Sequence, residues 1–212
     1  MIVMPSNNTG SITSRMFKKY PGRLAHLQSA DSLREPKFGH KWALDNGVYG
    51  AFTNEREWSE KPFYDFLEKY GESHSCEWAV VPDWVGDCKK TLRLWDEHAE
   101  RVLGYGVPLA LAVQDGMTHE MVRALEIQPT IIFIGGSTSW KLRTLNGWCA
   151  AFDRVHVARV NTEIRLWQCH RAKAESVDGT GWFKFGKERV QELDNYLSQS
   201  TSGICPQLEM NI

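Results

Sequence analysis

Seven short apolar runs punctuate the chain: IVM (2–4), KWAL (41–44), EWAVV (77–81), PLALAV (108–113), TIIFI (130–134), RVHVA (154–158) and ESV (175–177). Each is followed by a turn and then by a helix-like stretch, and this alternation constrains the fold more than any other feature. Several runs are apolar at nearly every position, as expected for strands covered on both faces. Strand–helix alternation at this period predicts an α/β protein with a parallel sheet and crossover helices. A compact TIM-like (β/α)8 barrel is the first choice. An open doubly wound sheet is the second, since no G-x-G-x-x-G loop follows an early strand. The eighth strand has one candidate, RLAHLQSA (23–30), which reads equally as helix. The first or second strand is therefore where irregularity is expected.

The segments between the runs carry helical spacing. In 60–71, Phe63, Phe66, Leu67 and Tyr70 share a face, as do Leu92, Trp95, Ala99 and Val102 in 89–106. Thr118 and Thr162 are placed to cap helices over 118–127 and 162–174. A single barrel domain is expected over 1–190, and 191–212 holds the end of a last helix and a loose tail.

Composition narrows the function classes. The formal net charge is −1, which gives no global attraction for nucleic acid but leaves room for a local basic face. Five widely spaced cysteines without a C-x-x-C argue against a disulfide framework or a cysteine-built zinc site. The histidines form no ligand cluster, and His156, inside a strand run, reads as a core histidine. No apolar run reaches a membrane span, and the N-terminus is not patterned as a secretory signal. A cytoplasmic protein is expected.

In parallel α/β folds, function gathers at the C-terminal strand ends. Here these ends are Asp45-Asn46-Gly47, Pro82-Asp83, Gln114-Asp115-Gly116, Gly135-Gly136-Ser137, Arg159-Val160-Asn161 and Asp178-Gly179-Thr180. Asp, Asn, Ser and Gly at such places also serve as turn and cap residues, and Asp87 and Asp115 read that way. Asp45, Asp83 and Asp178 directly follow a strand or its terminal proline, which aims them at a barrel mouth. Paired carboxylates around a cleft suit chemistry at an acetal-like carbon, one as nucleophile and one handling protons. Gln114 offers a donor and an acceptor for a heterocycle edge. The glycines of GGS let a backbone approach a ligand.

The ordered series LDNGVYGAF, VVPDWVGD, LAVQDG, IFIGGS, HVARVNT and ESVDGTG, over about residues 1–186, resembles the tRNA-guanine transglycosylase superfamily. It is most similar to the DpdA-like 7-deazaguanine DNA transglycosylases of phages and bacterial DNA-modification clusters. The resemblance implies a (β/α)8 barrel that exchanges guanine in DNA for a preQ0-like 7-deazaguanine base, without a cofactor. It implies Asp178 as nucleophile and Asp45 as the acid that assists proton transfer. Asp83 and Gln114 would read the base, against the backbone of Gly135 and Gly136. Asn46, Trp84 and Asn161, beside these motifs, complete the expected substrate-binding set.

The tRNA enzymes hold zinc through three cysteines and a histidine after the last strand. Only Cys205 and no histidine follow Asp178, so that subdomain is missing, which fits a reduced barrel acting on DNA. The nucleotide would be flipped out or single-stranded, with Tyr49, Phe52, Trp84 and Trp182 as stacking candidates. Lys184, Lys187, Arg189, Lys141 and Arg143 are candidates for phosphate contacts. The resemblance implies DNA and the free base as partners, with room for other DNA-modification proteins, in a host cytoplasm if the chain is phage-encoded. The same acids would also suit a glycosylase-like hydrolase or a silent nucleic-acid-binding barrel.

Overall fold

Strands that are apolar on both faces must be covered on both, and a closed barrel ringed by helices does this. The computed structural model describes residues 1–6, 10–30 and 39–202. Its strands are β1 (Ile2–Pro5), β2 (His26–Ser29), β3 (Trp42–Asp45), β4 (Cys76–Val80), β5 (Leu109–Val113), β6 (Ile131–Ile134), β7 (Val155–Val157) and β8 (Ser176–Gly179). They pair in parallel in the order β1-β8-β7-β6-β5-β4-β3-β2. Two parallel bridges, Val3 to Leu24 and Ser6 to Leu27, join β1 back to β2. The ring is thus a (β/α)8 barrel whose thinnest seam lies between the first two strands. The stretch 23–30 resolves to a strand there.

Helices alternate with the strands: α1 (Ser11–Lys19), α2 (Val48–Thr53), α3 (Lys61–Tyr70), α4 (Cys88–Leu103), α5 (His119–Arg123), α6 (Thr138–Ala151), α7 (Glu163–Arg171) and α8 (Lys187–Thr201). Asp87, Thr118, Ser137 and Thr162 cap α4 to α7, each side chain accepting the backbone N–H three residues on. Such caps contribute about 1 kcal/mol each. None of these helices is long and apolar enough to cross a membrane among the described residues. The tail residues 203–212, Cys205 included, lie outside the described residues.

Several elements depart from the periodicity. The helix expected over 118–127 stops at Arg123, where Gln128 turns back and donates from Nε2 to Leu125 O at 2.5 Å. α1 and α6 carry a polar residue on the buried face, Thr13 and Lys141, and α2 spans only six residues, too few to show a stripe. The ESV run continues through Asp178 to Gly179 and the KWAL run through Asp45, so both acids lie inside their strands, β8 and β3, and not after them.

Alternation along the strands splits the core in two. One cluster, with Leu44, Ile132, Ile134, Val157 and Val177, fills the space between strands and helices. The other fills the lumen: Met4, Leu27, Ala43, Trp78, Ala110, Ala112, Phe133 and Ala158. Trp78 is fully buried and meets Phe133 edge-on at 5.8 Å. The small alanines leave the volume that this indole needs, as interior density requires. The lumen is therefore a solid floor beneath the strand ends.

Candidate active site

Because all eight strands are parallel, their C-terminal ends share one rim, and a cavity of about 550 Å³ opens there. Asp45, Asn46, Asp83, Gln114, Gly135, Gly136, Asn161 and Asp178 all line it, as the sequence predicts.

Asp178 reaches the cavity by parity. It and Ser176 stand on the inner face of β8, while Val177 joins the outer core. The β7–β8 register sets His156 opposite Ser176. His156 is fully buried, stacked on Phe133 at 4.9 Å and edge-on to Trp78 at 4.7 Å. Its Nε2 lies 3.1 Å from Asp178 Oδ1, and its Nδ1 lies 2.8 Å from Ser176 Oγ. A neutral ring with its proton on Nε2 satisfies both: it donates to the carboxylate and accepts from the serine hydroxyl. Asp178 Oδ1 also accepts the Arg159 backbone N–H at 3.1 Å. Among the described residues, Oδ2 has no hydrogen-bond partner. His156 is a core histidine, as expected, but its partner is the candidate nucleophile. The signal was the i, i+2 pair of polar residues, Ser176 and Asp178, beside a lone histidine in the preceding strand.

Asp83 is held differently. Pro82 has no N–H and ends the ladder after β4. The half-buried carboxylate then accepts from Asn46 Nδ2 at 2.9 Å and from Gln114 Nε2 at 2.8 Å. Burial pushes its pKa up to about 6, against the two amide hydrogen bonds that pull it down. Asn46 also donates to Val81 O at 3.1 Å and accepts the Val48 N–H at 2.9 Å. Gln114 Oε1 accepts the N–H groups of Gly86 and Gly136, each at 3.2 Å. Asn46 and Gln114 are buried, and nearly all their hydrogen-bonding capacity is used in holding Asp83 and the neighbouring loops. Gln114 keeps one amide hydrogen for a ligand.

The loops are pinned in the same way. Gly135 N donates to Val113 O at 3.1 Å, so both N–H groups of the glycine pair are taken. Gly136 sits at φ 58°, and a Cβ there would stand 2.5 Å from Asp115 Oδ1. Asp115 itself accepts from Ser137 N at 2.5 Å and Ser137 Oγ at 2.6 Å, a tie between two strand-end loops and not the local turn or cap role that the sequence suggests. Asn161 Oδ1 accepts the Gly181 N–H at 2.8 Å and ties the β7 and β8 loops together. Asp45 Oδ1 accepts the Gly47 N–H at 2.7 Å, an Asx turn that aims the side chain at the cavity.

Arg159 escaped the sequence reading as a site residue. It holds a left-handed φ of 59°, and its guanidinium crosses the mouth. There it donates to Tyr49 OH at 3.1 Å and to Gly136 O, and lies 4.7 Å from the Tyr49 ring centre. Tyr49 and Phe52 line the cavity and are 41% and 61% exposed, with Arg159 lying over the Tyr49 ring.

Three expectations fail on position. Trp182 is fully buried beneath the short 3-10 turn Gly181–Phe183 and offers no stacking face. Trp84 is half exposed but lies outside the cavity lining, with Lys90 Nζ 4.2 Å from its ring centre. Lys141 is buried, and its Nζ donates to Ala158 O, so it cannot contact phosphate. It faces inward because α6 packs this side against the barrel wall. Lys184, Lys187 and Arg143 are exposed, while Arg189 is half-buried and paired with Glu192 at 2.7 Å.

No protein-family model matches the chain, and a search of curated proteins returns no significant match.

Proposed function

We propose that the barrel is a base-exchange transglycosylase that replaces guanine in DNA with a 7-deazaguanine base of the preQ0 type. The observation that carries the reading is a pair of carboxylates in one cavity, each held in its own way. Asp178 presents one unencumbered oxygen, and Asp83 is clamped by two amides with its pKa lifted to about 6. A carboxylate with an open oxygen suits a nucleophile, and one clamped by amides at the rim suits recognition of a base edge.

In this mechanism Asp178 Oδ2 attacks C1′ of a flipped or unpaired deoxyguanosine. The C1′–O bond forms as the C1′–N9 bond breaks, and the electron pair leaves with guanine. The incoming base then attacks C1′ through N9 and releases Asp178. Guanine gains one proton and the incoming base loses one, and Asp45 carries it between them. Asp83 accepts from the donor edge shared by both bases, and the last amide hydrogen of Gln114 meets a carbonyl. Tyr49 and Phe52 would stack on the displaced nucleotide, at about 1–3 kcal/mol per base. No step requires a cofactor.

The test is incubation with guanine-containing DNA and labelled 7-cyano-7-deazaguanine, followed by mass spectrometry of the nucleosides. Label in DNA is expected with the wild type, with activity reduced by a factor on the order of 10⁴ in Asp178→Asn. Incorporation that survives this substitution refutes the nucleophile. Abasic sites without incorporation would assign the barrel to hydrolysis instead.

A further inference from the structure

Lys141, displaced from the role its sequence suggested, occupies a more specific position. It lies on α6, is 4% exposed, and donates from Nζ to the carbonyl of Ala158. The same peptide unit ends in the Arg159 N–H, which donates to Asp178 Oδ1 at 3.1 Å. One peptide plane therefore carries an ammonium on its oxygen and a carboxylate on its hydrogen.

We propose that Lys141 is a positioning residue for Asp178, acting through the Ala158–Arg159 peptide, which it orients and polarises so that the Arg159 N–H grips Oδ1 and leaves Oδ2 facing the cavity. The functional consequence rests on the reading of Asp178 as nucleophile; the geometric claim does not.

The physical basis is peptide resonance. A cation on the carbonyl oxygen draws electron density from nitrogen and makes the N–H a stronger donor. Hydrogen bonds linked in this way reinforce each other by roughly 10–30% per bond. Orientation matters as much. Arg159 holds φ 59°, a conformation that costs a non-glycine residue about 1–3 kcal/mol and persists only under external restraint. Lys141 holds the carbonyl on one side of that residue, and Gly136 O and Tyr49 OH hold the guanidinium on the other.

A buried ammonium also needs a reason to stay charged. Burial and the neighbouring Arg159 pull the Lys141 pKa down to about 8, while Asp178 pulls it back up. The remaining charged or titratable groups that act on it are Cys169 and Arg165 on α7. His156 is the other such group on Asp178.

The experiment compares Lys141→Met, which keeps volume without charge, with Lys141→Arg, which keeps charge. The first readout is the amide proton of Arg159 by NMR, which needs no substrate. In Lys141→Met it is expected to move upfield and exchange faster, and in Lys141→Arg to stay near its wild-type position. The second readout is base exchange, where kcat falls about tenfold in Lys141→Met with KM unchanged, and Lys141→Arg restores it. An Arg159 amide that overlays the wild type in Lys141→Met overturns the proposal. Equal displacement in both variants also overturns it, since volume and not charge would then matter. If Lys141→Met does not fold, Lys141→Gln against Lys141→Arg makes the same comparison. A wild type without base exchange but with a Lys141-dependent Arg159 amide leaves the positioning intact and removes only the nucleophile.

Discussion

Asp83 and Asp178 face one cavity from β4 and β8, yet they are gripped by different kinds of partner. Asp83 takes both its hydrogen bonds from side-chain amides, Asn46 at the end of β3 and Gln114 at the end of β5. Asp178 is held by a backbone N–H and by a histidine locked in the lumen. Side-chain amides can be removed without moving the frame, so the Asp83 clamp belongs to the loops. The Asp178 grip belongs to the barrel itself. At Asp83, desolvation outweighs the two amide hydrogen bonds and lifts the pKa to about 6.

Removing the lumen support should have the largest effect. His156→Ala deletes a fully buried ring between Trp78 and Phe133 and leaves Ser176 without its partner. A loss of about 3–5 kcal/mol is expected in denaturant unfolding, combining cavity and lost hydrogen bonds. A loss under 1 kcal/mol would mean that Asp178 does not depend on the barrel frame.

The pH dependence of Asp83 comes next. Its folded pKa, about 6, lies above the ordinary carboxylate value, so the protonated form favours the folded state. That contribution is complete below the unfolded value near 4 and is lost as pH rises through 6. The full swing is roughly 3 kcal/mol. Asp83→Ala should therefore gain stability relative to the wild type between pH 4 and pH 8. Urea midpoints measured at both ends check the sign, and a variant that loses stability relative to the wild type as pH rises would contradict the burial argument.

The smallest effect is expected at Gln114. Gln114→Ala orphans the Gly86 and Gly136 N–H groups and removes one donor from Asp83. Both glycine amides lie beside an open cavity where water can replace the lost acceptor, so about 1–2 kcal/mol is expected. The sharper sign is that the Asp83 carboxyl titrates at still higher pH in this variant, which NMR of the labelled carboxyl would follow.

Much of this site was legible in the sequence because position along a parallel strand fixes which rim a residue meets. Asp45, Asp83, Gln114 and Asp178 were all placed by that rule, and each lines the cavity. Asp87 was separable as a cap because a short acid at a helix start has a local partner, whereas Asp115 bonds to Ser137, 22 residues away, which no local pattern records. Trp182 and Lys141 were misplaced for one reason. Both are amphipathic side chains whose direction depends on which neighbour covers them, and no local pattern records that.

The chain by itself determined the strand–helix alternation at seven runs, since strand and helix periods are properties of consecutive residues, while the eighth strand at 26–29 was decided by pairing. The chain also determined which residues stand at the strand ends. Only the tertiary structure decided who holds whom. The register of β7 against β8 brings His156 beside Asp178, and the return of α6 onto the wall sets Lys141 behind it. Gln114 joins Asp83 to two loops across strand boundaries. Those contacts link residues 17 to 31 positions apart, whose meeting is set by barrel closure and not by any local preference of the chain.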